Sequence, residues 1–313
     1  MGMKRLFLIL LPLFFFGCAS KSPITWEKRV EHSTLKPLDL VYNEYGQEHN
    51  ETMLFLHGFG ESRYTWRFVV KELAKRYHIY TLDLKGFGDS PKTEDHAYSV
   101  YDQAKLVEQF ILEHQLKNLT VVGRSFGGGV ALVLALMQEQ DPNLWLMDRM
   151  ILINSMSYKQ RLPSMMRALK IPIIGYLGIH LLSEEDIAKE AYAYAFSNDR
   201  LIPKESVHYS AEMMSKPMAK YAYLETVNEL IPDDILTIEQ WYKKISIPTL
   251  ILWGKDDVSI RVTMAYRLHR ELKRSRLKIF DHVGHMPQEE APKKVIQAII
   301  EFMEHPPEAP KQD

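Results

Sequence analysis

The stretch "VVGRSFGGGVALVLALM", residues 121–137, decides how the chain is read. An apolar strand-like run enters Gly123-Arg124-Ser125-Phe126-Gly127, and an apolar helix-like run leaves it with no linker between. A serine in so tight a strand-to-helix turn needs neighbours without bulky side chains, which Gly123 and Gly127 supply. Such a turn lifts the Ser125 hydroxyl out of the sheet edge. It also sets the following backbone amide, that of Phe126, beside a helix N-terminus, where a developing oxyanion is stabilised. Taken alone, Gly-x-Ser-x-Gly reads as a nucleophile elbow or as a glycine-rich packing turn.

Working outward, short strand-like runs alternate with amphipathic helix-like ones from Leu38: "LDLVYNEYG", "TMLFLHGFG", "TWRFVVKELAKRY", "HIYTLDLKGFG", "YDQAKLVEQFILEHQL" and "NLTVVG". That alternation predicts an α/β fold with a mostly parallel sheet covered on both faces. After "RMILINS" the pattern stops, and it resumes only at "TLILWG", "VTMAYRLHRELKR", "LKIFDHVGH" and "PKKVIQAIIEFMEH". Residues 156–245 between them hold no convincing strand and read as helices broken by prolines. The expected division is therefore a main domain from residues 21–155 and 246–304, a helical insertion at 156–245 and a loose tail at 305–313.

Three further features sit where a serine nucleophile needs help. "LFLHGFG" ends a strand in His57-Gly58-Phe59-Gly60, and the Phe59 amide is the expected second oxyanion donor. His57 is read as a residue that holds this loop. "LILWGKDD" brings Asp256 and Asp257 to a strand end, and "FDHVGHMPQEEAP" follows the next strand with His282 and His285. A carboxylate and then a histidine after the serine is a chain order that hydrolases use.

With these residues in place, the chain resembles the α/β-hydrolase-fold enzymes, in the branch that carries a helical cap after the sixth strand. The resemblance runs from about Leu38 to Glu304 apart from the cap. It implies an acid three residues after Gly254, hence Asp257 over Asp256, and a base in a Gly-His pair, hence His285 over His282. "DLKGFGDS" matches the family's glycine-containing turn, with Asp83 and Ser90 bracing it. Arg124 is expected to be a structural or rim residue. Ser125 would attack, His285 would accept and later return its proton, and Asp257 would fix the imidazole tautomer. The amides of Phe59 and Phe126 would hold the oxyanion, each contributing on the order of 3 kcal/mol. Neither a metal nor an organic cofactor is implied, and no Cys/His ligand cluster argues for one.

Serine at the elbow sets aside the family's aspartate-dependent dehalogenases and epoxide hydrolases. What remains is a carboxylic ester hydrolase of esterase or lipase character acting on a small-molecule ester. The alternatives are a carbon–carbon bond hydrolase, a thioesterase, a haloperoxidase or perhydrolase, or a slow ligand-binding receptor. "IPIIGYLGIHLL", residues 171–182, is too apolar for a solvated face. It is expected to line an acyl site, touch a membrane or pack onto the main domain.

The 39 basic and 40 acidic residues nearly cancel, which excludes the charge excess that nucleic-acid binding needs. The N-terminus "MGMKRLFLILLPLFFFGCAS" has Lys4 and Arg5, an apolar run at residues 6–16 and then small residues, the form of an export signal. Cys18, the only cysteine, resembles the lipid-modified cysteine of bacterial lipoproteins, which implies a membrane-anchored protein of the bacterial cell envelope. Cleavage after Ser20 with plain secretion is the alternative. The sequence leaves the oligomeric state open.

Overall fold

A computed structural model of the chain describes residues 36–308. The stretch 1–20 read as an export signal, with Cys18, and the end of the tail lie outside the described residues. Seven strands form one sheet: β1 (Tyr42–Tyr45), β2 (Thr52–Leu56), β3 (His78–Leu82), β4 (Leu119–Arg124), β5 (Arg149–Ile153), β6 (Thr249–Gly254) and β7 (Ser275–Phe280). Their spatial order is β1-β3-β2-β4-β5-β6-β7. Only β1 runs antiparallel, on the edge against β3, and the other pairs are parallel.

Parallel strands need crossovers, and these helices cover both faces of the sheet. The central strands β2, β4, β5 and β6 are therefore buried at every position except Arg149 and mostly apolar, and their two-residue period sorts side chains between two cores. Leu54, Leu56 and Val121 enter the core beneath α2 (Val100–Glu113) and α3 (Phe126–Gln140). Met53, Phe55 and Val122 enter the other, beneath α1 (Arg67–Leu73) and a C-terminal helix at Pro292–Glu304. Helix α3 is buried nearly all round, which explains why its sequence shows no polar face. The C-terminal helix instead buries Val295, Ala298, Ile299, Phe302 and Met303, the stripe of a helix lying on a sheet.

The insertion between β5 and β6 holds α4 (Ser164–Leu169), α5 (Pro172–Leu181), α6 (Glu184–Ala195), α7 (Lys204–Ser215), α8 (Ala219–Glu229) and α9 (Ile235–Ile238). Pro172 takes the first turn of α5, where its missing N–H costs nothing, so α4 and α5 are separate helices. Among the described residues this insertion follows the fifth strand, where the sequence reading had counted a sixth. Leu230, Ile235, Ile238 and Tyr242, at the end of the stretch read as cap, are buried in the main core with α3. The rest stands over the sheet through Ala188, Tyr192, Val207 and Ala211, which pack with Met286 of the segment after β7. That segment leads into α11 (Pro287–Glu290), with α10 (Thr263–Glu271) between β6 and β7 and α12 (Pro292–Glu304) closing the fold.

Candidate active site

The residues just beyond the C-terminal ends of neighbouring parallel strands meet in one crevice, the usual place for chemistry in an open α/β sheet. Ser125 follows β4, Asn154 follows β5, Asp257 follows β6 and His285 follows β7.

Ser125 has φ 51° and ψ −115°, which a side-chain-bearing residue keeps only when its surroundings over-determine it. Its amide donates to the Ile153 carbonyl at 3.0 Å, and its carbonyl accepts from Gly128, Gly129 and Met156 at 3.0, 3.2 and 2.9 Å. Glycine is required on either side by close approach. A Cβ on Gly127 would run into the carbonyl oxygens of Leu56 and His57, and one on Gly123 into the Gly127 backbone. The elbow therefore presses the start of α3 against β2 and β4, which fixes the backbone from which the serine side chain points.

That direction is toward His285. The Ser125 Oγ lies 3.1 Å from His285 Nε2, and His285 Nδ1 lies 2.7 Å from Asp257 Oδ2. Asp257 is almost wholly buried and fully engaged. Its Oδ1 accepts the amides of Ser259 at 2.7 Å and Ile260 at 2.9 Å, and its Oδ2 accepts Asn154 Nδ2 at 2.5 Å. Burial alone would raise its pKa, but the neighbouring imidazole and these donors outweigh it and hold the carboxyl below the usual carboxylate range. The site thus keeps an ionised carboxylate against the imidazole. Asp256 and His282, the rejected neighbours, lie on the surface, with His282 Nδ1 3.8 Å from Asp256 Oδ2.

Several supporting residues escaped the sequence reading. Asn154, at φ 44°, braces Asp257 and also accepts the Gly254 amide at 3.3 Å. Its signal was a polar residue closing the buried run "MILIN". Glu290 accepts the Gly284 and Met286 amides at 2.9 and 3.2 Å and, from the cap, the Ser197 amide at 2.8 Å. The His285 amide itself donates to the Ala195 carbonyl at 2.7 Å, so the cap helps to hold the base loop. Arg124 is buried against Glu61 in an ion pair, and its Nη2 donates to the His285 carbonyl at 3.0 Å. Glu61 in turn accepts the Gly58 amide at 3.1 Å. Arg124 is therefore a structural tie between the Phe59 loop and the base loop.

The Phe126 amide is the first of α3, and the Phe59 amide lies in the loop after β2 that Glu61 pins. Neither has a backbone acceptor among the described residues. Asp83 and Ser90 brace their turn as expected: Asp83 accepts the Arg63 and Asp89 amides at 2.6 and 2.8 Å, and Ser90 Oγ donates to the Asp83 carbonyl at 2.6 Å.

His57 lies beneath this loop, fully buried. Its Nδ1 donates to the Gly58 carbonyl at 2.7 Å and its Nε2 accepts the Leu84 amide at 2.9 Å, which requires the neutral ring. Burial holds its pKa below the ordinary value. A base neutral in the fold but protonated in the unfolded chain weakens the fold as pH drops below about 6.5, by up to about 1.4 kcal/mol per pH unit until it protonates in the fold too. His57→Gln is expected to lower stability at neutral pH yet flatten its decline on acidification. Urea unfolding at several pH values measures both, and an unchanged slope would contradict the neutral, buried role.

A cavity of about 360 Å³ opens above Ser125 and His285. Its wall is mostly apolar and comes largely from the cap, including Leu169, Ile174, Ile179, Leu182, Ile187 and Met214. The apolar segment at residues 171–182 is thus two-sided: Ile174, Ile179 and Leu182 line the cavity, while Ile173, Tyr176, Leu177 and Leu181 face outward and are exposed.

Known proteins agree with this architecture. The chain is 28% identical over 280 residues to the uncharacterized hydrolase YugF of Bacillus subtilis, covering 88% of this chain and 97% of the relative. It is 25% identical over 310 residues to Lipase 1 of Psychrobacter immobilis, covering 93% and 94%. Among solved structures, a putative lipase from Acinetobacter baumannii superposes with a TM-score of 0.69 at 28% identity, covering 91% and 97%. The family model for the alpha/beta hydrolase fold matches residues 51–292, and the chain belongs to that family.

Proposed function

We propose that the protein is a carboxylic ester hydrolase of lipase-like character, acting on medium or longer acyl esters through an acyl-enzyme on Ser125. The observation that carries this reading is the hydrogen-bonded chain Ser125–His285–Asp257 at the foot of an apolar cavity. Lipase 1 and the Acinetobacter putative lipase support it as relatives.

In the proposed reaction, Ser125 Oγ attacks the ester carbonyl while His285 Nε2 takes its proton. Asp257 stabilises the imidazolium and keeps Nδ1 protonated. The amides of Phe59 and Phe126 receive the negative charge that develops on the carbonyl oxygen. Collapse of the intermediate breaks the carbon–alkoxy bond, and His285 returns its proton to the departing alcohol. Water then enters, gives a proton to His285 and attacks the acyl-enzyme. Release of the carboxylic acid restores Ser125.

Each methylene of an acyl chain that enters the cavity should contribute up to about 0.8 kcal/mol, close to fourfold in kcat/KM. A panel of p-nitrophenyl esters should therefore show kcat/KM rising from acetate over several carbons. Ile174→Asp puts a charge in the wall and is expected to raise KM for octanoate esters about tenfold or more, with little effect on acetate. Leu177→Asp, on the outward side, should leave both unchanged. Acetate as the best substrate of the wild type would replace this reading with a short-chain esterase.

A further inference from the structure

Among the described residues the outward side of α5 has no partner. Ile173 and Leu181 are 75% and 78% exposed, and Ile171, Tyr176 and Leu177 each leave about half their surface open. At positions 173, 176, 177 and 181 these side chains follow the three- and four-residue spacing of one helix face. So many large apolar groups on one short element exceed the scattered single residues that any surface carries.

Charge on the N-terminal side of the patch has one sign, whereas Glu184, Glu185 and Asp186 open α6 just past its C-terminal end. From Met156 through Ser183 there is no Asp or Glu, in a chain with 40 of them among 313 residues. The same stretch holds Lys159, Arg161, Arg167 and Lys170, all exposed, on α4 and the segments joining it to β5 and α5. Ile174 and Leu182 are both cavity-lining and half exposed, so the cavity opens on this same apolar face.

We propose that α4 and α5 dock the protein on an anionic lipid bilayer, with α5 lying in the interface and the cavity mouth turned toward the lipid. Ten residues make a helix about 15 Å long, half of a bilayer's hydrocarbon thickness, so α5 lies in the surface and does not span it. Apolar side chains enter the acyl boundary while the basic residues beside them meet the headgroups. Docking deepens the ester hydrolase reading by naming where the substrate comes from, since an acyl chain could pass from bilayer to cavity without crossing water. Ser125 has no part in the docking surface.

The test uses the full chain with Cys18→Ser, so that a single introduced cysteine carries an environment-sensitive dye. Leu181→Cys places it on α5, away from the cavity lining, and Leu112→Cys places it on exposed surface of α2. In vesicles of phosphatidylcholine and phosphatidylglycerol, acyl-chain nitroxide lipids are expected to quench the dye at 181 about twofold or more and leave the dye at 112 unaffected. Arg161→Gln with Arg167→Gln should weaken the quenching at 181, as should pure phosphatidylcholine, since each interfacial cation contributes about fivefold to binding. A chain held on vesicles by its N-terminal segment alone would leave the dye at 181 unquenched, and that overturns the proposal. So does shielding of the dye without lipid together with a doubled mass in light scattering, which would make the patch a dimer contact. Equal quenching in neutral and anionic vesicles would also overturn it. Hydrolysis of a soluble ester by the same labelled protein is read separately. Quenching without hydrolysis keeps the docking and removes the ester reading.

Discussion

Ser125→Ala is expected to lower the turnover of a soluble ester by about 10⁵-fold or more while the protein remains folded. The size follows from what the substitution removes. Among the described residues the hydroxyl is the group that the imidazole of His285 is placed to deprotonate, at 3.1 Å, and a methyl side chain cannot form an acyl-enzyme. The oxyanion amides and the cavity would survive, so a small residual rate over water should remain. Stability should change little. The strained backbone at φ 51° is imposed by the Ile153, Gly128, Gly129 and Met156 hydrogen bonds, none of which involves the side chain. A thermal midpoint close to wild type together with loss of activity is the expected pair of measurements. A folded variant keeping more than a tenth of wild-type turnover would remove Ser125 from the proposed role.

What the sequence made legible was whatever leaves a local periodic trace. A parallel strand covered on both faces reads as an unbroken apolar run, which is why β2, β4, β5 and β6 and the elbow between β4 and α3 could be located. Strand ends in this topology are brought to one edge, which pointed to the two aspartates and two histidines there, and the resemblance to the hydrolase family selected Asp257 and His285 among them. The supporting contacts were not legible, for they join residues far apart in the chain with no period to link them. Nothing local says that Arg124 will pair with Glu61 or that Glu290 will reach Ser197 in the cap. The two sides of α5 were hidden for a different reason. When every residue from Ile171 to Leu182 except the glycines, Pro172, Tyr176 and His180 is aliphatic, the 3.6-residue period has little contrast, and sequence cannot separate the cavity side from the open side.

The second large effect expected is at the acid, where two adjacent aspartates give an internal control. Asp257→Asn should cost about 10⁴-fold in kcat, and Asp256→Asn should leave activity within about twofold of wild type. The Asp257 carboxylate receives four donors: two backbone amides on Oδ1, and Asn154 with His285 on Oδ2. An asparagine offers one acceptor oxygen and one NH2 group to the same four donors. With its oxygen toward the Ser259 and Ile260 amides, its NH2 meets the imidazole, which must then carry its proton on Nε2 and can no longer accept one from Ser125. With its oxygen toward His285, two buried amides lose their acceptor and the loop after β6 is strained. Asp256 faces solvent, its carboxylate 3.8 Å from the exposed His282 and outside the Asp257 network, so removing its charge disturbs none of this. The sign of the stability change is also set. Because the folded carboxyl lies below the ordinary range, its contribution is present above about pH 3.9 and is lost as pH falls through the folded value. The stability gap between wild type and Asp257→Asn should therefore be widest near neutrality and close in strong acid. A gap that grew on acidification, or an activity loss larger at Asp256 than at Asp257, would place the acid elsewhere.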